Sequence, residues 1–149
     1  MEQSRIVIIV RYLNDIKTIS KDISDELGRV FKDGLVKTKI NRDCGLIETP
    51  LHYITVEPYR QPEMFLGRRM NLIVFKDCTP QVYEYKNVYS ANLSIGGFLI
   101  SYEDFMLHHG ISRGIFKYDI MTNYRYYLNA QRTLLHRIGL EDVDKYKFV

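Results

Sequence analysis

The side chains best suited to chemistry are four histidines and two cysteines, and their spacing decides what they could do. His52 falls in a strand-like stretch, His136 in a helix-like one, and His108-His109 form an adjacent pair. Neighbours on an extended chain point apart, so one metal ion rarely takes both, and no His-x-x-x-His, His-Glu-x-x-His or Cys-x-x-Cys pattern accompanies them. Cys44 precedes Gly45 and Cys78 lies in a turn-like stretch. Either thiol becomes a nucleophile only with a histidine brought close, which the spacing does not require. Gly96-Gly97 lacks the later glycine, the lysine and the following helix of a phosphate-binding loop. The neighbouring carboxylates Glu103-Asp104 and Glu141-Asp142 read as turn or cap material. This set carries no catalytic constellation, and the expectation is a non-enzymatic chain without metal or cofactor.

A second chemistry is available to the basic and aromatic residues. Arg60, Arg68, Arg69, Arg113, Lys117 and Arg125 interleave with Tyr59, Phe65, Phe116, Tyr118 and Tyr124. A sheet face of exposed aromatics with basic flanks is one way to bind single strands. An alternative function is therefore a nucleic-acid-binding module using a basic, tyrosine-rich sheet face. Against it stand the absence of RNP-type and GXXG motifs and a net charge of only +3.

The elements that must position these residues follow from hydrophobic patterning. In 149 residues, 46% hydrophobic and 26% charged, there is enough apolar material for one domain with a true core, which excludes intrinsic disorder. The β-branched run Ile6 to Val10 predicts a strand covered on both faces. Ile16, Ile19, Ile23, Leu27 and Val30 draw one apolar stripe and predict a core-facing amphipathic helix, started by Asn14 or Asp15 and stopped by Gly34. Val36 to Ile40 and Leu51 to Val56 read as short strands, and Tyr59 to Arg69 as an exposed loop. Met70 to Phe75 is a strand followed by a turn at Asp77, Thr79 and Pro80. Gln81 to Tyr89 alternates as a strand would, with Tyr83, Tyr85, Asn87 and Tyr89 on one face. Leu93 to Ser101 is a strand with a bulge or close approach at Gly96-Gly97, Ile115 to Tyr126 a long final strand, and Tyr127 to Ile138 a short helix. The expected fold class is α+β: an antiparallel sheet or partial barrel with one packed amphipathic helix and a short C-terminal helix. It forms a single domain over 1–149, with a strand–helix unit at 5–33, an irregular arm at 35–69, a sheet at 70–126, and the C-terminal helix and tail at 127–149.

The segment from Asn71 to Tyr127 resembles the closing half of the contractile-phage tail-tube family. Val74-Phe75-Lys76-Asp77 matches its charged turn, Gln81 to Lys86 its alternating strand, and Asn87 to Leu93 its aromatic-plus-small segment. Leu99-Ile100-Ser101-Tyr102-Glu103-Asp104 stands for its Leu-x-Tyr/Trp-x-Asp strand end, and Ile115 to Tyr127 for its last strand. Arg5 to Phe31 resembles the strand and external helix of that family more loosely. The family's opening strands with their Pro-x-Gly turn are missing, and 35–69 has no counterpart. A tube initiator or tail terminator therefore fits as well as the tube protein.

The resemblance implies a ring-forming structural component of a phage-type tail. Its partners would be copies of itself and other tail or assembly proteins, with non-specific DNA contact and no membrane. The expected subunit contacts are Tyr83, Tyr85, Tyr89, Phe65, Arg68 and Arg69, and the lumen- or polyanion-facing residues are Lys117, Asn123 and Arg125. No signal peptide or membrane span is read from the sequence. The expected location is the host cytoplasm during assembly, then the virion.

Overall fold

A computed structural model describes residues 3–32, 34–60, 65, 67–109 and 124–140. Its centre is β1 (Ser4–Val10), in which Ile6 to Val10 are all buried. A strand with both faces covered needs this continuous apolar run, and β1 lies parallel to a neighbour on each side: β4 (His52–Pro58) and β5 (Met70–Lys76). β6 (Leu93–Ser101) continues the parallel set beyond β5. On the other flank β2 (Lys37–Ile40) and β3 (Gly45–Glu48) form a hairpin that adds antiparallel strands to β4. The strand order is β2-β3-β4-β1-β5-β6. The fold is α+β, antiparallel at the β2–β4 end and parallel elsewhere.

Each face of the sheet has its own core. On one face α1 (Asn14–Val30) lays Ile16, Ile19, Ile23 and Leu27 against Ile6, Ile8, Val10, Ile54, Val56, Leu72 and Val74. The predicted stripe is thus the core contact from Ile16 to Leu27, while its last member, Val30, is exposed. On the other face Val7, Ile9, Ile73, Phe75 and Leu99 pack under Phe65, Tyr85, Val88, Tyr89 and Leu134. α4 (Tyr124–Arg137) serves both cores, through Tyr127 and Ala130 on one and Leu134 and Leu135 on the other. It lies along the free edge of β6, and the Gln131 side-chain oxygen accepts the Leu99 N–H at 2.8 Å. That bond satisfies a buried backbone donor that no described strand pairs with on that side.

Several sequence expectations need correction. Gln81 to Tyr89 is not a strand but helix: α2 (Val82–Glu84) runs into a π-turn at Tyr85–Tyr89 and a 3₁₀ turn at Ser90–Asn92. The buried residues Glu84, Tyr85, Val88, Tyr89 and Asn92 repeat at helical spacing, so the alternation of aromatics does not set the structure. Gln81 and Glu84 form a reciprocal capping box that starts the helix. The expected final strand lies outside the described residues over 115–123, and its end, Tyr124 to Tyr126, is the first turn of α4. α1 starts at Leu13 without a side-chain cap, and Asp15 instead meets Lys76 at 3.3 Å. β3, unforeseen, pairs between two strands that were foreseen.

The bulge expected at Gly96-Gly97 is present: pairing of β6 with β5 shifts register between Met70 and Leu72. The turn after β5 is present too, with Asp77 at φ 58, a left-handed conformation uncommon outside glycine. Among the described residues, no helix is long and apolar enough to cross a membrane.

Candidate functional site

In an open sheet with parallel strands, the chain leaves each strand at the same end, so the following residues converge on one crevice. Here Arg11 follows β1, Tyr59 follows β4, and Asp77, Cys78 and Thr79 follow β5. Ser101 ends β6, and Glu103 lies in the first turn of α3 (Tyr102–His109). These residues line a cavity of about 750 Å³, closed on one side by Phe75 and by Leu134 and Arg137 of α4. That volume suits a small organic ligand.

The charges are arranged unevenly. Arg11 and Arg137 have no carboxylate within ion-pair distance among the described residues. Arg11 rests over the Tyr12 ring at 5.3 Å, which orients the guanidinium without cancelling its charge. Asp77 is committed to Lys76 at 2.8 Å, and the hydrogen bonds of Lys76 to Asp77 and Asp15 keep its ammonium protonated above its ordinary range. Glu103 is exposed at the rim. Ser101 caps α3 by accepting the Asp104 N–H at 3.1 Å, so the positive end of that helix also faces the strand ends. The sum is two uncompensated cations beside hydroxyls and one free carboxylate, a composition for an anionic ligand that also carries hydroxyl groups.

Behind the wall lies a polar pair that sequence reasoning missed. Glu84 is buried and accepts hydrogen bonds from the Tyr59 hydroxyl and from the Gln81 N–H, the latter at 2.8 Å. Burial, and then the adjacent Glu84, push the Tyr59 phenol far above its ordinary range, so it stays protonated. With its O–H donated to Glu84, the Tyr59 oxygen faces the cavity as a hydrogen-bond acceptor. The thiols are poorly suited to nucleophilic work. Burial pushes Cys78 up to about 12 while its Sγ reaches the Ile9 carbonyl, and burial raises Cys44 as well.

The residues expected to make subunit contacts do not share one surface. Phe65, Tyr85 and Tyr89 are corrected to core residues of the chain itself: Tyr89 meets Phe65 and Phe75 edge-on at 5.1 and 5.3 Å. They are buried because the helical turns after β5 bring Tyr85 and Tyr89 down on the sheet. Tyr83 is 67% exposed, on the outer side of those turns. Arg68 is held by Glu57 at 2.7 and 2.5 Å, and Arg69 is exposed. Arg125 is exposed on α4, while Lys117 and Asn123 lie outside the described residues. The described basic and aromatic residues thus share no single sheet face. His52 and His136 are not among the residues that line the cavity.

Arg11 stands directly after one apolar run and Asp77-Cys78 one residue beyond another, and that was the available signal. Only the parallel pairing, which no local pattern encodes, brings them to one place. The site and fold together define an α+β chain with a cavity at the carboxyl ends of its parallel strands. No family model, no curated protein and no solved structure matches the chain.

Proposed function

We propose that the chain binds a small phosphorylated, hydroxyl-bearing metabolite in the cavity at the carboxyl ends of β1, β4, β5 and β6. The observation that carries this reading is the pair of arginines, Arg11 and Arg137, that line that cavity without a carboxylate partner among the described residues. Guanidinium forks match phosphate oxygens, and the Thr79 hydroxyl with the Glu103 carboxylate matches a polyol. Calorimetric titration with ribose 5-phosphate and adenosine 5′-monophosphate tests it. Arg11→Gln and Arg137→Gln are expected to weaken binding by about tenfold each without lowering the melting temperature. No heat from either ligand, or heats indifferent to both substitutions, would overturn the reading.

A tail component that forms rings, residing in the host cytoplasm and then the virion, is a proposal resting on the sequence resemblance alone. Its alternating strand at 81–89 is helical, and three of its six contact residues are internal. The nucleic-acid module stands in the same position, because its basic and aromatic residues are dispersed among the described elements.

A further inference from the structure

The opposite end of the sheet holds a second concavity, which the proposed metabolite site does not use. It has a volume of about 670 Å³ and opens where β1, β5 and β6 begin, between Arg5, Gly67, Arg68, Arg69, Asn71 and Ser94. We propose that it is a second anion site, taking a small ligand through its phosphate groups, and that it is independent of the first.

Three observations carry this. The first is charge: the lining contains three arginines and no acidic residue. Among the nearby carboxylates, Glu48 accepts a hydrogen bond from Gln3 of the lining at 2.9 Å, and Glu57 is already spent on Arg68. Burial would raise its pKa, but the hydrogen bonds and charge of Arg68 outweigh that and hold it below its ordinary range, so it stays ionised. Arg5 and Arg69 have no carboxylate within ion-pair distance among the described residues.

The second is order. Arg5 stacks on the Tyr53 ring at 5.0 Å, and Arg68 is pinned between the Glu57 carboxylate and the Phe65 ring at 4.6 Å. Guanidinium groups held this way lose little freedom when an anion arrives.

The third is a floor whose shape the sequence has fixed. Asn71 accepts the Arg5 N–H at 2.7 Å and donates to the Ser94 hydroxyl at 3.0 Å, and Ser94 donates to the Met70 carbonyl at 3.2 Å. Beneath them is the β6 bulge. A Cβ on Gly97 would stand 2.9 Å from the Met70 oxygen and 3.0 Å from that of Asn71, and Gly96 has φ +79. Two glycines inside a strand weaken it, and here they let β6 pass close to the start of β5. A concavity of this size with ordered walls suits a compact phosphate ligand better than a strand of nucleic acid, which needs an extended groove.

The test is a titration of the full chain with inorganic pyrophosphate, followed in amide correlation spectra. Saturable shifts are expected at Asn71 and Ser94, and they should weaken by about tenfold in Arg5→Gln/Arg69→Gln. Both replaced side chains are exposed, and unchanged remaining resonances would show the fold intact. The same shifts should persist in Arg11→Gln/Arg137→Gln, so failure of the metabolite reading leaves this result standing. Absence of saturable shifts at Asn71 and Ser94, or shifts indifferent to the Arg5/Arg69 change, overturns the proposal. So does a single-stranded oligonucleotide that binds through Arg5 and Arg69 while pyrophosphate does not.

Discussion

His52 shows what one buried side chain imposes on the whole chain. It opens β4, and its Nδ1 lies 2.8 Å from the Thr49 hydroxyl, which also accepts the His52 N–H at 2.9 Å. This closes the turn from β3 to β4, with Phe31 edge-on to the imidazole at 6.1 Å. Burial pushes the imidazole pKa down from 6.5 to about 4, because the protonated ring would be charged inside the core. As pH falls below 6.5 the unfolded chain takes up a proton that the folded chain refuses until pH 4. Stability is therefore fully present above that window and lost progressively within it, by at most about 3 kcal/mol. Urea midpoints measured from pH 7 to pH 5 should fall. In His52→Asn, less stable at pH 7, most of that slope should vanish, because carboxylates such as Glu57 titrate lower. A wild-type curve flat across this range would contradict the account. At this scale the sequence placed His52 in a strand but did not reveal its partners. Thr49 lies three residues away, and the contact exists only because a turn folds it back. Likewise Glu103-Asp104 was readable as cap material, whereas the Tyr59–Glu84 pair spans 25 residues and two strand ends.

Elements with a long, one-sided or continuous apolar pattern were legible: β1, α1, β4, β5 and β6 follow the runs and stripes that predict them. The stretch after β5 was not, because Tyr and Val suit strands and happen to alternate there. Pairing decided the matter. β5, the strand that 81–89 follows, already has β1 on one side and β6 on the other, whereas the capping box and the helical spacing of Tyr85, Val88 and Tyr89 let it cover the sheet. α1 and β3 illustrate a fit that sequence pattern does not announce. A Cβ on Gly45 would lie 1.8 Å from the Ser20 hydroxyl and 2.8 Å from its Cβ, so the helix reaches β3 only across a glycine. Gly45→Ala should cost about 1–3 kcal/mol of stability by forcing the helix outward. Adding Ser20→Gly should recover most of that loss, even though glycine is a poorer helix former. Chemical denaturation of the two variants decides it. Equal losses in the single and double variants would mean that the close approach is not the cause.

The topology is what no window of sequence shows, and it governs how the molecule meets others. Alternating ribbons completed by neighbouring copies would leave aromatic side chains waiting at the surface. Instead Phe65, Tyr85 and Tyr89 fill the core beneath the turns after β5, and the β6 edge is engaged by Gln131 of α4. At the other end β2 is exposed along its length and carries Lys37 and Lys39, charges that discourage a second sheet from adding to it. The expectation is a monomer: light scattering on the purified chain should give the mass of one copy across a wide concentration range. Tyr83→Ser, which alters the most exposed of the tyrosines proposed for contact, should leave that mass unchanged. Rings or tubes in solution, lost on that substitution, would reverse the argument and favour the tail-component proposal. A concentration-dependent dimer indifferent to Tyr83 would instead direct attention to the exposed Leu13 and Ile40, which line the same hollow between α1 and β2.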